Sequence, residues 1–429
     1  MHKRFFNFLL SIHKNHETSR FEITFLGIKI KFLCKKLLKT PDYSKVLEKI
    51  KEKYKNKQKI RVGFYVCENA KWNAEDLYNL LEKSEEFEPV ILASVLVRDC
   101  KGKDNGKDIL QENYEFFNNN SKNVVKVYDE EKREYIPLKK FDLDILFYQQ
   151  PWGIPEIHNI DCTKDFALSC HFHYGLHIFK SKITDMFFYR KLFTYFITNE
   201  NEKMDLLKKG YSNLFVIGFP KLDIYKTIKK ENVDNKKKTI IYAPHFSYDK
   251  KSILKIGTFD KNGEKMLAFA KQHPEYNWVF KPHPVLRHQL SLDNKYGVDY
   301  VEKYYSEWEK IGKKYEQGNY FDLFLNSDLM ITDCSSFLLE YLPTNAPLFR
   351  FERKGSAPLN SFGKKLVQNL YRINNFSSFE KMFDQVIKND ADFMKNQRVE
   401  FINNILGENV GSEKIVNRLL SCIRGEDFS

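Results

Sequence analysis

From Lys59 onward, short runs rich in β-branched and aromatic residues alternate with amphipathic helical stretches, and the alternation occurs twice. Strands are expected at KIRVGFYV, FEPVILASVL, LDILFYQQ, FALSCHFH, LFTYFITN and LFVIG, with helices at AEDLYNLLEKS and NEKMDLLKKG. The second helix closes on Gly210, a residue suited to the left-handed turn that ends a helix. A polar stretch ending in DNKKK then intervenes. Beyond it, strands are expected at KTIIYAPHF, NWVFKPH, SDLMITD and APLFRF, with helices at NGEKMLAFAKQH, YVEKYYSEWEKIGKKY and SSFLLEYL. Strand and helix in alternation build a parallel sheet with crossover helices. The expected fold is therefore α/β, two doubly wound Rossmann-like domains facing a central cleft, preceded by a basic N-terminal arm. A chain of 429 residues is also longer than one hydrophobic core usually supports.

The boundaries that follow are an arm over 1–57, a first domain over 58–225, a second over 226–395, and closing helices over 396–429 that cross back to brace the first half. The arm mixes Phe5, Phe6, Phe8, Leu9 and Leu10 with Lys3, Arg4 and Lys14, then alternates apolar and basic residues through FEITFLGIKIKFLCKKLLK. Such a segment suits the surface of an anionic membrane, or a hairpin packed on the body.

Charge narrows the partners. Lysine and arginine outnumber the acids by 70 to 57, a formal charge of +13, which favours an anionic partner. No nucleic-acid-binding motif accompanies that charge, so nucleic acid is not expected. The 7 cysteines are scattered and lack metal-ligand or disulfide spacing, which suits a reducing compartment. No apolar run reaches the ~20 residues of a membrane-spanning helix, so a cytoplasmic protein, peripheral on the inner face of the membrane, is expected.

In open parallel sheets, ligands bind beyond the carboxyl ends of the strands. Three strand ends of the second half carry unusual residues there: Pro244 and His245 in YAPHF; Lys281 and His283 in KPHP; and Thr332, Asp333, Ser335 and Ser336 in ITDCSS. The prolines of KPHP fix a loop that presents His283 outside the sheet. Ser335 and Ser336 open a helix whose free N–H groups suit a phosphate, and Asp333 or Ser335 equally suits plain helix capping.

Taken in order, VIGFPKLDIY, YAP, KPHP and ITDCSSFLLEY resemble the CDP-glycerol glycerophosphotransferase family of teichoic acid and capsule synthesis. The resemblance covers roughly residues 140 to 350. It implies the GT-B fold, a CDP-linked phosphoalcohol donor, a polysaccharide or lipid-linked acceptor, and release of CMP. It implies donor contacts at His283, Ser335 and Ser336, with Thr332 and Asp333 supporting the turn. The family's first-domain histidine lies in a Trp-His-Gly motif; here the nearest match is SCHFHYGLHIF, where His171 and His173 precede Tyr174 and Gly175. Two histidines at strand spacing share one face, and either suits the role of base toward the acceptor hydroxyl. Gln149, Gln150 and Trp152 in YQQPWGIPE, with Tyr174 and Gly175, suit an acceptor subsite or simple loop packing.

No cofactor is required on this reading, and a divalent metal is not implied. Asp142 and Asp144 form a D-x-D pair, but they begin a strand instead of ending one. Cys170, His171 and His173 lack a second ligand pair at useful spacing. Two other functions fit parts of the pattern: a GT-B nucleotide-sugar glycosyltransferase, and a non-catalytic binder of anionic polymers.

Overall fold

The computed structural model describes residues 40–426 except 103, 105, 181–185, 231–236, 250, 251, 253, 316–319 and 407–410, together with the backbone of three strands at 10–15, 20–25 and 28–33. The basic opening residues 1–9 and the charged stretch 231–236 lie outside the described residues.

The chain divides into two compact units. The first comprises Met1–Tyr174, Ser181–Lys221 and Asn409–Ser429; the second comprises Gly175–Lys180 and Leu222–Glu408.

The first unit holds a parallel sheet of seven strands: β1 (Ile60–Val66), β2 (Phe87–Ala93), β3 (Val124–Lys126), β4 (Ile145–Tyr148), β5 (Leu168–Phe172), β6 (Thr194–Ile197) and β7 (Leu214–Val216). Their spatial order, β7-β6-β5-β4-β1-β2-β3, reverses between β1 and β4, where doubly wound sheets place a ligand crevice. Both faces are covered, so the central strand β4 is apolar throughout and not alternating, with every residue buried.

The helix Ser44–Lys55 buries Val46 and Ile50 in this unit's core. Residues 44–57 of the expected arm thus form part of the body. The helix Gly411–Arg424 adds Ile415, Leu419 and Ile423 to the same core, whereas the helix Lys395–Leu406 belongs to the second unit. Ahead of them, Leu10–Asn15, Arg20–Phe25 and Ile28–Leu33 pair as an antiparallel three-stranded sheet.

The second unit repeats the winding with β8 (Thr239–Ala243), β9 (Asn277–Phe280), β10 (Gly312–Lys314), β11 (Leu329–Thr332), β12 (Leu348–Phe351) and β13 (Tyr371–Ile373). All pairings are parallel, and the order β10-β9-β8-β11-β12-β13 reverses between β8 and β11. Trp278, Phe280, Tyr304, Trp308 and Phe383 dominate its core.

The edge strand β10 lies inside a stretch that reads as one helix. The helix Gly297–Ile311 stops at Gly312, where a Cβ would lie 2.1 Å from the carbonyl oxygen of Trp278. Only glycine permits that approach. The lysines that follow pair with β9 through the main chain, which side-chain periodicity does not report.

Candidate active site

At the reversal of the second sheet, the loops leaving β8, β9 and β11 are tied to one another by main-chain bonds. The Lys281 N–H donates to Tyr242 O at 2.9 Å, and the His283 N–H to Pro244 O at 3.0 Å. Thr332 Oγ1 donates to Ala243 O at 2.6 Å and accepts from the Cys334 N–H at 2.9 Å. Pro244, His283 and Thr332 therefore act on backbone geometry before any ligand is considered.

His245 and His283 come together here, with ring centroids 4.8 Å apart and planes at 68°. Phe246 lies against both, at 4.4 and 4.6 Å. The Ser247 N–H donates to His245 Nδ1 at 3.2 Å, and Ser247 Oγ lies 2.8 Å from the same nitrogen while accepting from the Ile256 N–H. His283 caps the helix Pro284–Ser291: its Nδ1 accepts from the Val285 N–H at 3.2 Å, and Pro284 fills the first helical position. With both Nδ1 atoms accepting, each neutral ring carries its proton on Nε2. Burial, with the neighbouring His283, pushes His245 down to about 3; burial, with Lys281, pushes His283 down to about 4. At neutral pH the pair offers two N–H donors and no charge.

Asp333 is not a helix cap. One carboxylate oxygen accepts from the His245 N–H at 2.5 Å; the other accepts from the Thr258 hydroxyl at 2.7 Å and from the Thr258 N–H. Burial raises its pKa to about 6 against those donors. Asp333 thus fastens the loop from β8 to the residue that opens the helix Phe259–Gln272. The loop folds tightly: a Cβ on Gly257 would sit 2.5 Å from His245 O. Thr258 and Gly257 carried no signal in the sequence, because each acts through a contact made across an irregular loop; Ser247 closes the stretch YAPHFS, at one of the strand ends that stand out in the sequence.

The helix Ser335–Tyr341 begins after Cys334 without any side-chain cap, Ser335 buried and Ser336 half-buried. The ammonium of Lys281 is buried beside this helix, 4.4 Å from the ring centroid of Tyr320, 5.2 Å from Tyr315 and 5.3 Å from Phe337. Tyr320 in turn donates to Glu340 at 2.5 Å. Those ring faces stabilise a buried cation.

In the first unit, β5 bears Ser169, His171 and His173 on one face, while Leu168, Cys170 and Phe172 enter the core on the other. Cys170 therefore cannot share a metal with the histidines. Among the described residues, no group of three or more His, Cys, Asp or Glu side chains is placed to hold a metal. Asp144 accepts from Lys53 at 2.9 Å and from the Arg61 N–H at 2.9 Å at the amino end of β4, a structural clamp.

His171 and His173 form a closed chain. His171 Nδ1 donates to Tyr148 O at 2.7 Å, its Nε2 meets His173 Nδ1 at 3.4 Å, and His173 Nε2 accepts from the Tyr195 hydroxyl. His171 is 1% exposed and His173 7%, with Tyr189 packed against both rings. Shared orientation follows the spacing of two; open access does not.

Beyond β4, Gln149 grips the loop after β1, accepting from the Cys67 and Glu68 N–H groups at 3.1 and 3.2 Å and donating to Glu68 O at 2.9 Å. Gln150 is buried, while Trp152 and Tyr174 stay half-buried with ring centroids 6.4 Å apart. Gly175 begins the excursion 175–180, which belongs to the second unit and bridges Phe179 to Leu359.

Residues 188–354 match the family model of CDP-glycerol:poly(glycerophosphate) glycerophosphotransferase, a stretch that contains every strand-end residue of the second unit described above. Over that stretch the chain is similar to the CDP-glycerol glycerophosphotransferase family. The chain is 28% identical over 180 residues to the teichoic acid glycerol-phosphate primase of Bacillus subtilis strain 168. The match takes in 38% of this chain and 42% of the relative, so the chain spans less than half the length of that curated protein. In fold, the chain resembles the wall teichoic acid polymerase TagF, with a TM-score of 0.54 at 13% identity over 89% of this chain and 98% of that one. It also resembles the UDP-GlcNAc 2-epimerase of Neisseria meningitidis, with a TM-score of 0.54 at 14% identity over 85% of this chain and all of the other. The likeness is that of GT-B proteins, two Rossmann-like domains.

Proposed function

We propose that this protein transfers a phosphoalcohol, glycerol phosphate or a close relative, from a CDP-linked donor to a hydroxyl of a teichoic-acid-like or capsular polymer or of its lipid-linked precursor, releasing CMP. The observation that carries the reading is the His245 and His283 pair, two imidazole N–H donors held by backbone bonds at the sheet's reversal, inside the family-matched residues. Preorganised donors of that kind stabilise charge that grows on phosphate oxygens as a bond to phosphorus breaks.

In this reading the acceptor oxygen attacks the donor's β-phosphorus. An O–P bond forms, the bond to the bridging oxygen of the diphosphate breaks, and that oxygen leaves on CMP. His245 and His283 donate to the phosphates. Ser335 and Ser336, with the N–H groups of the helix they open, complete the donor site. Binding the anionic diphosphate would also raise both imidazole pKa values, so charge is drawn into the site with the ligand. The acceptor proton is assigned to His173, oriented through His171, and that role requires the Tyr195 hydroxyl to release His173 Nε2. Gln150, Trp152 and Tyr174 are assigned to the acceptor.

Residues 1–39 are assigned to an anionic membrane surface. Among the described residues no helix is long and apolar enough to cross a membrane. The register pairs Leu10 with Phe25, Ile12 with Ile23, Ile23 with Ile30 and Phe21 with Phe32, aligning apolar sequence positions across three strands.

Measuring CMP release from a panel of CDP-alcohols, against UDP release from UDP-sugars, tests the activity. CMP release with a CDP-alcohol alone is expected. UDP release from a sugar donor, with no turnover of any CDP-alcohol, overturns the reading.

A further inference from the structure

The first unit holds a second polar cluster, at the carboxyl ends of its own central strands. Lys71 closes the short turn Asn69–Lys71 beyond β1, and its ammonium donates to Gln150 Oε1 at 3.0 Å while pairing with Glu68. The same ammonium stands 5.3 Å from the Tyr174 ring centroid and 5.8 Å from that of Trp152, and the two rings meet edge to face at 74°. Gln150 is fixed in turn, its Nε2 donating to Trp152 O at 3.1 Å. The loop that carries Trp152 turns on Gly153, at a φ of +70° that side chains resist.

Charge decides what such a cluster takes. Arg98 approaches Glu68 at 3.6 Å and Asp99 at 3.3 Å, so the two cations Lys71 and Arg98 face two carboxylates. A balanced cluster is poorly suited to a phosphate, and its lysine is poorly suited to a metal. Two aromatic faces beside an ammonium, a carboxylate and a fixed amide suit a saccharide: C–H faces rest on the rings and hydroxyls bond to the polar groups. Lys71 and Glu68 keep 23% and 27% of their side-chain surface exposed, so the half-buried pair remains within reach of solvent and of a ligand.

We infer that Lys71, Glu68, Gln150, Trp152 and Tyr174 form a saccharide subsite, with Lys71 setting its specificity. That the saccharide belongs to the acceptor rests on the proposed transferase reading; the binding of sugar does not.

The test uses the full chain and two readouts. Saturation-transfer NMR with glucose, galactose, N-acetylglucosamine and chitobiose is expected to show direct contact with at least one sugar. Lys71→Met and Trp152→Ala should each weaken that contact at least fivefold while keeping the wild-type melting temperature to within a few degrees. In the CMP-release assay, Lys71→Met should raise the apparent KM for a glycoside acceptor about tenfold and leave the KM for the CDP-donor unchanged. Sugar binding that ignores both substitutions overturns the subsite, as does contact by free glycerol 3-phosphate in place of every sugar. Sugar binding that depends on Lys71, in a protein that turns over no CDP-alcohol, supports the subsite and overturns the transferase reading instead. CMP release with an acceptor KM indifferent to Lys71→Met overturns the subsite and leaves the transferase standing.

Discussion

His245 and His283, on loops that leave neighbouring strands, bring their rings to 4.8 Å and spend both Nδ1 atoms on backbone N–H groups. The consequence is a pair of Nε2–H donors whose tautomers are set by the fold before any ligand binds. Removing one of them removes a preorganised donor, not a structural pillar, since His283 is only partly buried. His283→Ala is expected to lower CMP release by roughly 10²-fold, with the loss in kcat larger than that in donor KM. Steady-state kinetics of the purified variant checks this, and near-normal turnover would dissolve the donor-site assignment.

Acid should unfold this protein early. His245 is pushed down to about 3, and His158, His177 and His283 to about 4, in each case chiefly by burial. Each binds a proton in the unfolded chain below its ordinary value of 6.5 but not yet in the folded one, so stability is complete above that value and falls as pH drops toward 4. Asp333, raised to about 6, has the opposite sign: its share grows as pH falls from 6 toward 3.8. Four groups outweigh one. The melting temperature should decline steadily from pH 6.5 to 4.5, and His158→Asn should flatten that decline even if it lowers the melting temperature at pH 7. A pH-independent melt in this range would contradict the buried neutral assignment.

Ser335 and Ser336 make no side-chain cap, so replacing both by alanine removes no capping bond and should change stability by only about 1 kcal/mol or less. The same double substitution should weaken stabilisation by CDP, because two hydroxyl donors leave the phosphates while the backbone N–H groups remain. Differential scanning fluorimetry with and without CDP separates the two effects. Equal stabilisation of both proteins by CDP would leave the serines with no part in the site.

Deleting residues 1–36 should reduce co-sedimentation with vesicles of phosphatidylglycerol while turnover of a soluble acceptor analogue stays within about twofold of wild type. The body is expected to survive, because the helix Ser44–Lys55, which packs into the core of the first unit, is retained. Undiminished vesicle binding by the truncated protein would assign these strands a purely structural role.

Much of the second unit's edge was readable from local pattern. Apolar runs that stop at Pro244, at Lys281-Pro282 and at Asp333 mark strand ends, and a parallel sheet puts consecutive strand ends on one side. The edge strands β3, β10 and β13 were not readable, being three residues each and held by main-chain pairing that any side chain tolerates.

What the sequence by itself determined is the winding: period and punctuation are short-range, so strands, helices and the order of their ends survive reading one residue at a time. What only the tertiary structure decided is which way the polar side chains at those ends turn. Lys281 enters a cage whose rings come from Tyr315, Tyr320 and Phe337; Asp333 reaches back to His245 and Thr258; and His171 and His173 close on a tyrosine from the next strand. Each outcome depends on partners between about 20 and 90 positions away in the chain. A buried charge or ring nitrogen takes the partner the packing supplies, because leaving it unmatched costs about 1–3 kcal/mol or more, and no local pattern records that partner.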